Sequence, residues 1–145
     1  MTDSVIQFNY SDGKHLTTIY VRANTHHEDF IPILEEICAD IDNAERFNGG
    51  RLNWGNFCLE MIKRLCKWVD RPDGIKIITE TNDKNCNTIY KHVIEPISDK
   101  YLDFTLQTSK TLNITSKYQI GGELIFNGTL YDFVIELKSK IEDEK

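Results

Sequence analysis

The segment His26-His27-Glu28-Asp29 places two imidazoles and two carboxylates side by side. Neutral imidazole and carboxylate together suit zinc, iron or nickel, so a metal or catalytic role is the first chemistry to weigh. The spacing argues the other way. Adjacent histidines seldom converge on one ion, and the helical H-x-x-x-H pair is absent. Asp29 is also placed to cap the helix that follows. The segment reads first as a polar loop with a cap.

The cysteines point away from metal chemistry as well. Cys38, Cys58, Cys66 and Cys86 are separated by 20, 8 and 20 residues, whereas a structural zinc site wants ligands two to four residues apart. Cys58 and Cys66 share a helical face, but eight residues of rise put them about 12 Å apart, too far for a disulfide or a shared ion. All four read as small buried side chains, and neither metal nor cofactor is expected. No G-x-S-x-G elbow or Cys-Gly signature supplies a nucleophile. His15 and His92 fall in strand-like segments, where packing is the ordinary role. Gly49-Gly50 and Gly121-Gly122 lack any Walker or Rossmann context and read as loop glycines.

Charge layout is more informative. Glu28, Asp29, Glu35, Glu36, Asp40, Asp42 and Glu45 follow one another with no Lys or Arg among them. The next helix carries Glu60, Lys63, Arg64, Lys67 and Arg71 on one side. The plain reading is two solvated helix faces, cross-paired at their boundary, each pair worth little. The functional reading is a docking surface that steers a charged protein partner. It would use Glu35, Glu36 and Asp40 on the acidic side and Lys63, Arg64 and Lys67 on the basic side.

These residues hang on elements with clear periodicity. Trp54, Phe57, Cys58, Met61, Ile62, Leu65, Cys66 and Val69 form a wide apolar stripe, so 53–71 is expected to be the central amphipathic helix. Asn53 is its N-cap and Arg71-Pro72-Asp73-Gly74 its stop. A preceding helix runs from about Asp29 to Ala44 on Phe30, Ile33, Leu34, Ile37, Cys38 and Ile41, with Asp29 as N-cap and Pro32 in the first turn. Ser4–Tyr10 and His15–Ala23 read as a hairpin about Ser11-Asp12-Gly13-Lys14, the first strand with one apolar face and at or near the sheet edge. Ile75–Thr81, Thr88–Glu95, Tyr101–Thr108 and a short Leu112–Ser116 read as further strands. Near the C-terminus, Asn127-Gly128 suggests a type I′ hairpin turn. The helical spacing of Leu130, Phe133, Val134, Leu137 and Ile141 is longer, and favours a helix from about Leu130 to Glu142. The expected fold is α+β: an antiparallel sheet of five to six strands with helices on one face, in the order ββααβββ(β)α.

At 145 residues one domain is the natural expectation. A charged share of 28% with net charge −6 fits a soluble globular protein and argues against general nucleic-acid binding. No apolar run approaches a membrane span, and the first ten residues lack the marks of a secretory signal. Reduced thiols and a cytoplasmic location are therefore expected. Abundant Lys, Ile and Asn mark an AT-rich genome.

The run His26-His27-Glu28-Asp29-Phe30-Ile31-Pro32 between strand and helix resembles a class of small phage and bacterial proteins with an H-x-D-G-Y-P-like element there. The strand–turn–strand about Tyr90 is similar too. The Gly and Tyr of that element are missing here, and about half the chain matches. The resemblance implies an α+β fold and a mobile-element origin, and no site. The reading that follows is a non-enzymatic protein-interaction module, extending to a phage-encoded inhibitor of a host defence protein. Its rival is a small-molecule or nucleotide binder, or small enzyme, using His26, His27, Asp29 or His92.

Overall fold

The computed structural model describes residues 3–47, 52–78, 88–98 and 107–143. The elements run β1 (Asp3–Asn9), β2 (His15–Val21), α1 (His27–Phe47), α2 (Trp54–Val69), β3 (Ile75–Ile78), β4 (Thr88–Pro96), a 3-10 turn (Thr108–Lys110), β5 (Leu112–Tyr118), β6 (Leu124–Thr129) and α3 (Leu130–Asp143). The six strands form one sheet in the order β3-β2-β1-β4-β5-β6. The fold is α+β, as the periodicity implies.

The sheet is mixed, not purely antiparallel. β1 pairs antiparallel with β2 but parallel with β4, with Ile6 opposite His92 and Phe8 opposite Ile94. Parallel neighbours need a long crossover, and the stretch holding α1, α2 and β3 supplies it. β1 therefore lies inside the sheet, not at its edge, and both its faces are covered: Ile6 and Phe8 toward the helices, Val5 on the reverse. One-sided alternation in a sequence cannot reveal a parallel partner that arrives some eighty residues later.

The helices gather over one face. Phe57, Met61 and Leu65 of α2 are fully buried with Ile6, Phe8 and Ile19 of the sheet, while Ile62 packs at the margin of that cluster. Asn53 caps α2 as expected, its side chain accepting from the Asn56 N–H at 2.8 Å. Trp54 Nε1 donates to the Asn9 carbonyl at 2.8 Å, which ties the start of α2 to the end of β1. The helix stops at Val69. Asp70 takes a left-handed φ of 49°, and its N–H bonds to the Cys66 carbonyl.

Several boundaries differ from expectation. α1 starts at His27, so Asp29 lies in its first turn and is not the N-cap; the His26 carbonyl accepts from the Asp29 and Phe30 N–H groups. Pro32 falls beyond the first turn. Near the C-terminus the helix forms from Leu130, as its spacing implies, and no hairpin turns at Asn127-Gly128. β6 hairpins with β5, but the chain turns between Tyr118 and Glu123, with Gly121 and Gly122 at φ 85° and 69°. Asn127-Gly128 sits inside β6. β5 is longer than expected and pairs on both sides. Residues 101–106 of the expected strand lie outside the described residues, and Thr108 belongs to the 3-10 turn. Cys38 and Cys58 are buried, but Cys66 is exposed; Cys86 lies outside the described residues.

Candidate functional site

Two places on the molecule gather the residues with chemistry. The first is an open groove of about 530 Å³ where α1 meets α2, lined by Asp40, Glu60, Lys63, Arg64, Cys66 and Lys67. Arg64 organises it. Its Nε donates to Asp40 Oδ2 at 2.6 Å and its Nη1 to Glu60 Oε2 at 2.6 Å. Lys63 Nζ reaches Glu60 Oε1 at 3.5 Å. The hydrogen bond from Arg64 holds the Glu60 carboxyl below the usual carboxylate range. Lys67 makes no ion pair among the described residues.

The acidic run does not form one face. A helix repeats every 3.6 residues, so Asp29, Glu36 and Asp40 share one exposed row while Glu28, Glu35 and Asp42 share another. In the second row Glu35 and Asp42 turn toward the rest of the fold, while Glu28 stays exposed. Asp42 is buried and accepts from both the N–H and the hydroxyl of Thr108, fastening the 3-10 turn to α1, and burial raises its carboxyl. Glu35 is half-buried, and burial raises it too, opposed by Lys138 of α3. Glu35 thus stands apart from Glu36 and Asp40, with which the charge pattern had grouped it. On the basic side, Arg64 is already paired, which leaves Lys63 and Lys67 as the more available cations.

The second place is a corner where the β2–α1 junction meets β4 and β5. The rings of His26 and His27 stack at 4.7 Å. Both meet Tyr90 edge-on, at 6.1 and 5.5 Å. Tyr90 lies near parallel to His92 at 6.3 Å and against Tyr118 at 5.6 Å. His92 is fully buried, and its Nδ1 is 2.6 Å from the Ser116 hydroxyl, its partner across the β4–β5 ladder. Phe30 packs on His92 at 5.9 Å and on Trp68 at 5.5 Å. Beside the corner, Ser4 and Thr25 share a buried hydroxyl–hydroxyl contact of 2.5 Å.

Two nitrogens in this corner, His27 Nδ1 and His92 Nε2, are buried with no hydrogen-bond partner among the described residues. Burial lowers both imidazoles, and His92 falls to about 3. His26 further lowers His27, and His27 lowers His92. The sequence singled out His26 and His27 together, but treated His92 as a packing residue of a distant strand. The fold brings all three to Tyr90, whereas Asp29 points its exposed side elsewhere in the first turn of α1. No group of three or more His, Cys, Asp or Glu side chains converges to hold a metal ion among the described residues.

Sequence reasoning missed Cys66 as a groove residue, because its position continues the apolar stripe of α2. It missed Tyr90 and Ser116, which only strand pairing places beside His92. Comparison with protein-family models, curated proteins and solved structures finds no match. Among the described residues, no helix is long and apolar enough to cross a membrane.

Proposed function

We propose that this chain is a protein-interaction module that docks a protein partner on the outer face of α1 and α2. The observation that carries the reading is the groove itself: open, lined by charges of both signs, and built on two helices anchored in the core. Rigid helices hold such charges in register better than loops do. Lys63 and Lys67 stand one turn apart and suit acidic groups on the partner. Asp29 and Glu36, on the neighbouring exposed row, suit basic ones. This layout favours rapid, oriented encounter over deep burial of a small ligand. An inhibitor works in the same way, by covering a partner's working surface without chemistry of its own.

The test is affinity capture from a lysate, followed by association rates for the captured protein. Replacing Lys63 and Lys67 with Glu is expected to slow association at least tenfold at low salt, with the difference shrinking as salt screens the charges. Replacing Asp29 and Glu36 with Lys is expected to do the same. Association unchanged in both double variants overturns the reading. A nucleotide thermal-shift screen run alongside separates it from a small-molecule site at the His26–Asp29 segment.

A further inference from the structure

His27 and His92 sit in a geometry that favours their neutral state. Three imidazoles surround one tyrosine ring, two of them stacked at 4.7 Å. A proton on His27 or His92 creates a charge in a ring-lined place, and a second proton adds repulsion at short range. The surrounding charges give little relief. From α1 itself, Glu28 alone favours a charged His27. From α3, Lys140 opposes it. β4 contributes Tyr90 and β5 contributes Ser116 and Tyr118, which are uncharged near neutral pH. From α2, Trp68 touches the corner only through Phe30. The first turn of α1 adds its own unfavourable term, since a helix N-terminus repels cations.

We propose that His27 and His92, packed with His26 around Tyr90, form an acid-sensitive latch that holds the first turn of α1 against β4 and releases it when those two imidazoles take up protons. The moving part is small. His26 and His27 stand at the N-terminal end of α1, where helix ends fray most readily. Their lift uncovers His27 Nδ1 and His92 Nε2, two nitrogens with no hydrogen-bond partner among the described residues when the latch is closed. Phe30 is fully buried next to them and marks where the turn rejoins the core. The open form binds up to two more protons than the closed form. Each extra proton held by the open form raises its population by up to about tenfold for each unit of pH below the ordinary histidine value.

Amide hydrogen exchange on the intact chain between about pH 7.5 and 5, corrected for intrinsic rates, tests the latch. The amides of Phe30 and Ile31 in α1 are expected to exchange through an opening of lower free energy than those of Phe57, Met61 and Leu65, and to lose protection as pH falls. His27→Gln is expected to reduce the pH slope at Phe30 and Ile31. Protection at Phe30 and Ile31 no lower than at Phe57, Met61 and Leu65 across the range overturns the proposal, because it means that only global unfolding exposes the corner. A slope unchanged by His27→Gln overturns it as well. Should that variant fold poorly, histidine ring NMR on the unaltered protein decides. Rings of His27 and His92 that take up protons at the ordinary value while the Phe30 and Ile31 amides stay protected show that no latch exists. None of these outcomes depends on a partner or on the groove.

Discussion

The groove and the histidine corner are both built from ionisable side chains, on two helices in the one and on a helix start and a strand in the other, yet water treats them in opposite ways. In the groove, Asp40 and Lys63 keep more than half of their side-chain surface in solvent. Ion pairs displayed that way contribute little to stability. In the corner, His92 has no exposed surface and stays neutral at physiological pH. The difference teaches that solvation sorts residues into surface tools and structural parts. A binding surface needs charges that cost little to display. A buried imidazole makes the fold sensitive to pH instead.

Removing the corner's central packing residue gives the largest expected effect. Phe30→Ala is expected to cost about 3–5 kcal/mol, read by denaturant titration, because Phe30 is fully buried against His92 and Trp68. Leu65→Ala, under α2, is expected to cost about 2–5 kcal/mol. A loss within error for Leu65→Ala would remove α2 from the centre of the fold.

Next in size is the effect of acid. His92 is near 3 when folded and near 6.5 when free, so the unfolded chain binds the extra proton. Stability from this group is complete above about pH 6.5 and is lost as pH falls toward 3. Each unit of difference is worth about 1.4 kcal/mol, so the whole window amounts to a few kcal/mol. His92→Gln is expected to flatten the pH dependence of stability across that window, whatever it does to stability at pH 7. An unflattened curve would place the acid sensitivity elsewhere.

The two neighbouring glutamates of α1 sharpen the contrast on a single helix. Glu35→Lys puts a second positive charge beside Lys138 at a half-buried position, and is expected to cost about 1–3 kcal/mol. Glu36→Lys changes an exposed position and is expected to stay within about 0.5 kcal/mol. Equal costs would mean that the two rows of α1 are not distinct.

The smallest effect belongs to the groove. Arg64→Gln breaks the contacts to Asp40 and Glu60, and is expected to cost about 1 kcal/mol at low salt and less at high salt. A loss several times larger would show that the groove is a structural joint, not a display of charges.

The local features of the fold follow from sequence. The stripe of Phe57, Met61 and Leu65 sits at helical spacing, so any fold that buries one side of α2 buries these three. Asn53 caps a helix because its side chain reaches the N–H three residues on, a contact within one turn. The helix from Leu130 and the β1–β2 hairpin are legible for the same reason: partners close in the chain meet whatever the rest does. What needed the tertiary structure is every meeting across long separations. Whether β1 lies at an edge depends on β4, which arrives after both helices. Whether Glu35 faces water depends on α3, some hundred residues away. His92 joins His27 only because β4 lies parallel to β1, which sets it beneath the start of α1. The charge pattern could show that acids and bases were plentiful, but their strength and availability depend on burial. Burial belongs to the assembled molecule, because it is set by which surfaces exclude water together.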